Sequence, residues 1–188
     1  YDPVEDVLSH QTEKGFPFEV PDAKITTMYL DSNDNLWLGT YDQGYHVIYA
    51  YEELFNNDSW LKASLGQKSV VSVDSDSNDN LWISTLKDGL YMYNPDSATF
   101  KKIDLRRIYN YEAAGNLDIT CVFVDSKDKV WLTGNSGVSR CRVRDNDLVV
   151  EKSWPVFFPM GMSEDADGRI WIGSMGENVY YISPEDDT

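Results

Sequence analysis

Oxygen-bearing side chains recur at alternate positions in this chain: Asp31, Asn33 and Asn35, then Asp76, Asn78 and Asn80. Such alternation can present carboxylate and amide oxygens to a calcium ion. A calcium loop of the EF-hand kind also needs glycine at its sixth position and glutamate at its twelfth, and neither stretch has them. Asn and Asp equally build turns, because they bond their own backbone and tolerate left-handed φ. Turn chemistry accounts for the same residues without an ion, so no metal is assigned. Acid–base and nucleophilic chemistry fare no better. His10 and His46 are the only histidines, and no H-E-x-x-H, G-x-S-x-G, P-loop or dinucleotide glycine pattern is present. A glycosidase needs two carboxylates across a cleft, but among 32 acidic residues a chance pair is certain and tells nothing. His46 falls on a predicted strand and reads as a surface residue. The chain reads as non-catalytic and without a cofactor.

The elements that carry these residues come from a repeat. Four copies of one frame read Asp31-SNDNL-Trp37, Asp76-SNDNL-Trp82, Asp125-SKDKV-Trp131 and Asp165-ADGRI-Trp171. The tryptophans are 45, 49 and 40 residues apart, which is the period of a β-propeller blade. In the first copy strands are predicted over 25–30, 36–40 and 45–49, separated by polar turns. The second copy gives 70–73, 81–85 and 90–93, the third 119–124, 130–133 and 138–143, and the fourth 158–162, 170–174 and 179–182. Outer strands follow at 99–103 and 148–151. Asp167-Gly168 in the fourth copy is a tight-hairpin dipeptide. Strands at this density with no helical period define an all-β fold. Short antiparallel sheets stack face to face around an axis, so Trp37, Trp82, Trp131 and Trp171 are expected in the core between sheets. Gly39 and Gly173, two positions after Trp37 and Trp171, and Gly134, three after Trp131, are expected to allow close backbone approach. Cys121 and Cys141 fall on strands two apart, about 9.6 Å at the usual spacing of about 4.8 Å. That is beyond disulfide reach, so both thiols are expected to be free.

The blades are expected at about 25–65, 70–104, 118–153 and 156–182, in one domain of 188 residues, with an outer strand at about 16–20. A net charge of −16 argues against nucleic acid and against anionic lipid. No apolar run approaches the ~20 residues of a membrane span and no signal peptide opens the chain. Tyr1-Asp2-Pro3 looks like the interior of a protein.

The frame Ile25-x-x-Met28-x-x-Asp31-x-x-Asp34-Asn35-Leu36-Trp37-Leu38-Gly39-Thr40, followed by Gly44-Tyr45 and Tyr49, resembles the two-component regulator propeller repeat. Asn80 to Thr85 and Arg169 to Ser174 fit it closely, and Lys129 to Gly134 more loosely. The resemblance spans about residues 25–182. It implies the extracytoplasmic, periplasmic sensor region of hybrid two-component systems common in gut Bacteroidetes. There, two seven-bladed propellers precede an immunoglobulin-like domain, a membrane helix and a histidine kinase, and known members respond to glycans. The kinase motifs and three of seven blades are not in this sequence, so signalling output is expected outside it.

That resemblance favours an open arc of a larger ring over a closed four-bladed ring. The closed alternative would use the strand near 16–20 to complete the fourth blade. An arc leaves apolar blade faces at both ends and invites homodimerisation. Sugars stack on aromatic side chains while polar groups fix their orientation. The insertions at 50–66 and 104–116 therefore supply candidate ligand residues: Trp60, Arg107, Tyr109 and Tyr111, with Trp154 as a further loop aromatic and Arg107 suited to an acidic sugar. The leading expectation is a glycan-responsive sensor segment joined to the remainder of its sensor chain. The competing one is a protein-interaction scaffold without a ligand site of its own.

Overall fold

The computed structural model describes residues 20, 22–32, 34–48, 65–94, 96–105, 118–134, 137–176 and 178–184. Fourteen strands form four separate antiparallel sheets among these residues. The first holds β1 (Ile25–Leu30), β2 (Leu36–Thr40) and β3 (Tyr45–Ile48); the second holds β4 (Ser69–Ser75), β5 (Leu81–Leu86), β6 (Gly89–Asn94) and β7 (Thr99–Lys102). The third holds β8 (Ile119–Val124), β9 (Val130–Gly134), β10 (Gly137–Arg144) and β11 (Asp147–Trp154); the fourth holds β12 (Pro159–Glu164), β13 (Ile170–Ser174) and β14 (Val179–Ile182). Within every sheet the strands follow chain order. Residues 16–19, Tyr1-Asp2-Pro3 and most of both insertions lie outside the described residues.

Successive sheets pack through their first strands. β1, β4, β8 and β12 stand side by side, and β4, β8 and β12 each also cover the second strand of the sheet before them. Hydroxyl groups mark this inner row: Ser72 Oγ donates to the Val122 carbonyl at 2.9 Å, and Thr120 Oγ1 to the Pro159 carbonyl at 2.7 Å. Thr26 Oγ1 makes the equivalent bond to the Val70 carbonyl. Each first strand carries a register shift one residue into its ladder, between Ile25 and Thr27, Val70 and Ser72, Ile119 and Cys121, and Pro159 and Gly161. A bulge adds local twist, so its recurrence gives every blade the same bend toward the axis.

The apolar core is divided among three sheet boundaries. Trp37, Tyr45, Val70, Val73 and Ile83 fill the first, Trp82, Leu90, Ile119, Val122 and Leu132 the second, and Trp131, Val138, Ile170 and Ile172 the third. Each repeat tryptophan thus belongs to the boundary with the following sheet. Trp171 departs from the expected core position, with 39% of its surface exposed, because no described strand follows its sheet. The described sheets form an open arc, not a closed four-bladed ring.

The glycines divide the same way. A Cβ on Gly39 would sit 2.5 Å from Thr27 Cγ2 and 2.8 Å from Val70 Cγ1, and one on Gly134 would sit 2.3 Å from the Asp118 carbonyl oxygen. Gly173 does not share that crowding: its nearest neighbour is the Gly161 carbonyl at 4.0 Å, since its partner on β12 has no side chain. Cys121 on β8 and Cys141 on β10 are free thiols separated by β9. Trp82→Ala is expected to cost about 3–5 kcal/mol. Trp171→Ala is expected to cost at most about 1 kcal/mol at low protein concentration. Urea unfolding of the two variants checks this; equal losses would refute the division of the core.

Candidate functional site

The turn between the first two strands is built identically in all four sheets. The aspartate that opens it donates its N–H to the carbonyl four residues on, and its own carbonyl accepts the N–H three residues on, at 2.9–3.1 Å throughout. The residue three after the aspartate takes positive φ: Asp34 at 63°, Asp79 at 57°, Asp128 at 63° and Gly168 at 75°. Asp and Gly are among the few residues that tolerate this region. The aspartate side chain then closes the turn. Its Oδ1 accepts the N–H of Asn35 at 2.9 Å, Asn80 at 3.0 Å, Lys129 at 2.8 Å and Arg169 at 3.0 Å. Its Oδ2 accepts the indole N–H of Trp37 at 2.9 Å, Trp82 at 3.0 Å, Trp131 at 2.7 Å and Trp171 at 2.7 Å.

This arrangement accounts for Asp31, Asn35, Asp76 and Asn80; Asn33 lies outside the described residues. Asn35 and Asn80 also donate their amides to the aspartate, so the oxygens that a metal would need are engaged by N–H groups. No group of three or more metal-ligating side chains occurs among the described residues.

The turns are also linked to one another along one rim of the arc. Ser32 Oγ donates to Asp79 Oδ1 at 2.7 Å. Ser77 donates its N–H and hydroxyl to Asp128 at 2.8 and 2.9 Å, and Ser126 donates both to Glu164 at 2.7 Å each. A carboxylate of each following sheet therefore clasps the serine after the turn aspartate. In the fourth turn that position is Ala166.

A cleft of about 350 Å³ opens beside this rim between the third and fourth sheets. Lys127, Lys129, Arg140 and Glu151 line it from the third sheet, and Ile182 and Pro184 from the fourth. Glu151 on β11 gathers the cations: Lys129 Nζ lies at 2.8 Å, Arg140 Nε at 3.2 Å and Arg142 Nε at 3.9 Å. The Arg140 guanidinium also lies over the Trp131 ring at 5.8 Å. Arg140 occupies a special register position. It pairs with Trp131 as Val47 pairs with Trp37, Met92 with Trp82 and Tyr181 with Trp171. Where the other sheets place an apolar or aromatic residue, the third places a charge, and the cleft forms there.

Of the residues singled out in the sequence, Trp60, Arg107, Tyr109 and Tyr111 lie outside the described residues. Trp154 is not a loop aromatic. It ends β11, and its ring stacks on Trp131 with centroids 5.4 Å apart at 18°. Lys152 Nζ lies over its ring at 5.5 Å. His46 sits half-buried on β3, opposite Leu38. The cleft residues Lys129, Arg140 and Glu151 escaped the sequence reading. The available signal was Arg140-x-Arg142 on a predicted strand whose counterparts are apolar.

A second charged cluster surrounds the turn between β5 and β6. Asp88 pairs with Lys68 at 2.6 Å and Lys102 at 2.9 Å and accepts the Tyr91 hydroxyl. Partial burial opposes its charge, but the two lysines and Tyr91 outweigh that and hold its carboxyl well below the usual range. In the fourth turn the Trp171 indole N–H, with Arg169, holds the exposed Asp165 carboxyl low as well. Burial pushes the Cys141 thiol up to about 12, with Glu151 adding to the shift, and burial raises Cys121 too.

The β-propeller arc is the class that this fold defines. The model of the two-component regulator propeller family matches residues 19–42 and 156–176. Those two stretches match the repeat of that family. No curated protein matches the sequence. Among solved structures, the chain is similar to the extracellular domain of a hybrid two-component system from B. thetaiotaomicron, at 22% identity and a TM-score of 0.64, over 88% of this chain and 22% of that one. The extracellular domain of a one-component system from the same organism gives 16% identity and a TM-score of 0.60, over 84% of this chain and 21% of that one. Virginiamycin B lyase from Staphylococcus aureus, an enzyme, gives 14% identity and a TM-score of 0.59, over 89% and 58%. At these identities the likeness is one of fold. The chain spans about a fifth of the length of these two extracellular domains.

Asp88 has a folded pKa below its unfolded value. Its contribution is therefore complete above the ordinary carboxylate range and is lost as pH falls through the depressed value. Between about pH 4 and 2 the wild type is expected to lose more Tm than Asp88→Asn, as thermal melts in acid will show. Parallel profiles would refute the pairing. Cys141 is expected to stay unreactive toward a thiol reagent in the native state and to react fully only in denaturant, with Cys121 reacting first.

Proposed function

We propose that this chain is a non-catalytic segment of the extracytoplasmic, periplasmic sensor region of a two-component signalling protein. Its cleft between the third and fourth sheets takes an oligosaccharide. The kinase that reports occupancy lies elsewhere in the signalling protein, and the remainder of the sensor chain is the segment's natural partner. The supporting observation is the coincidence of regulator-propeller repeats with an open polar cleft at a sheet boundary. Its volume lies within the usual range for small-molecule sites, and it joins an apolar edge to a few converging charged groups, as such sites do. Guanidinium, ammonium and carboxylate groups can bond sugar hydroxyls, and the lining sets Lys127, Lys129 and Arg140 beside Asp125, Glu151 and Glu164, so donors and acceptors are both at hand.

Isothermal titration against neutral and acidic oligosaccharides tests the reading. One sugar class is expected to bind the wild type saturably, and Arg140→Met, which restores the residue type of the second sheet, is expected to weaken that binding at least tenfold with little change in Tm. Binding that Arg140→Met leaves intact would remove the cleft from the proposal. No binding by any sugar would remove the ligand.

A further inference from the structure

The fourth turn departs from its three counterparts at two positions together. Three residues after the turn aspartate stand Asp34, Asp79 and Asp128, but Gly168 in the fourth; one residue before it stand Leu30, Ser75 and Val124, but Glu164 in the fourth. The pair amounts to a carboxylate moved from the turn tip to the end of the first strand. The serine clasp survives the move. Asp79 and Asp128 reach Ser32 and Ser77 from the turn tip, whereas Glu164 takes the Ser126 N–H and hydroxyl at 2.7 Å each from β12. Backbone shape does not require the glycine. Its φ of 75° lies near the 57° to 63° at which aspartate stands in the other three turns. A Cβ there would meet Pro184 Cγ at 3.4 Å and Glu164 Oε1 at 3.7 Å, both ordinary contacts. What the glycine changes is space: Gly168, Glu164 and Pro184 all line the cleft between the third and fourth sheets. A second hollow, of about 410 Å³, adjoins the cleft along the rim and reaches Ser75 and Ser77 of the second sheet. Asp125 and Glu164 line both. The two spaces therefore meet at the Ser126 clasp, beside the place that a side chain at 168 would fill.

We infer that Gly168 sets how long a ligand the site accepts. The inference rests on the reading of the cleft as an oligosaccharide site. A sugar chain seated beside Arg140 and Glu151 passes the bare turn tip, where no side chain stops its approach to the backbone. It then continues over the Ser126 clasp into the second hollow. An aspartate at 168 would stand across that passage, as Asp128 stands over Ser77 at the preceding boundary. Carboxylate and hydroxyl oxygens along the passage can accept the hydroxyl hydrogens that each added sugar unit brings. The ligand class is thus a chain longer than the cleft itself holds, and not a disaccharide.

Isothermal titration of the full chain with maltose to maltohexaose, cellobiose to cellohexaose and di- to hexagalacturonate tests it. In the series that binds, affinity is expected to rise at least about tenfold from two units to six. Gly168→Asp is expected to cut that rise to about twofold or less while leaving the disaccharide within about threefold of wild type. A second variant separates this effect from damage to the turn. Glu164→Val is expected to lower Tm by releasing the Ser126 groups. Glu164→Val with Gly168→Asp rebuilds the pair of the third sheet; it is expected to restore Tm and still to lack the rise with length. A rise that survives Gly168→Asp, or equal affinity of the wild type for short and long chains, would overturn the inference, while the cleft reading would stand on the loss of binding in Arg140→Met. Failure of all three series to bind the wild type would overturn both.

Discussion

The indole N–H of each repeat tryptophan and the carboxylate of the aspartate six residues before it are the contact on which the blades depend. An indole buried between two sheets must satisfy its one polar atom. A carboxylate beside an apolar boundary costs free energy unless its oxygens accept hydrogen bonds. Each solves the other's problem, and the same carboxylate accepts the backbone N–H that fixes the turn. Hydrogen bonds to charged groups are worth about 1.5–3 kcal/mol. One aspartate thus sets turn geometry, strand register and side-chain direction together. The price of losing it falls on all three.

Register carries the rest of the architecture. Once the tryptophan is pinned to the start of the second strand, its partners on the first and third strands are determined, and so is the face each residue presents. The common bulge in the first strand and the serine clasps along the rim then place each sheet against the next. The boundary between the third and fourth sheets places Lys129 where Asn35 and Asn80 stand and Arg140 where Val47 and Met92 stand, and Glu151 gathers both cations beside the cleft. A scaffold whose interfaces are this repetitive can vary one position without disturbing the others, which is how solenoid-like proteins place a site on a uniform frame.

Much of this was legible in the residues. The Asp-to-Trp interval set the period, and predicted strands such as 25–30 and 119–124 coincide with β1 and β8. What failed did so because it depends on neighbours distant in sequence. β11 runs to Trp154, beyond the predicted 148–151, because β10 offers it partners past the shift at Arg140 and Cys141. Trp154 therefore belongs to the packing around Trp131 and not to a loop. Trp171 shares its motif with three buried tryptophans, and only the absence of a described following sheet separates it from them. Lys129 ends the turn before β9, whereas Arg140 and Glu151 lie on β10 and β11, so no linear pattern announces that they converge. The alternating Asp and Asn residues allowed two chemistries on paper, and hydrogen-bond geometry places Asp31, Asn35, Asp76 and Asn80 in the turn.

A double-mutant cycle between Asp76 and Trp82 tests the central contact most directly. Asp76→Ala removes the acceptor, Trp82→Phe removes the indole N–H while keeping an aromatic ring, and the double variant removes both. Urea unfolding of all four proteins is predicted to give a coupling energy of at least about 1 kcal/mol, the loss in the double variant being smaller than the sum of the single losses. Strict additivity would contradict the account: the aspartate would then shape only its turn, the tryptophan would only fill space, and their fixed interval would not be what holds the blade together.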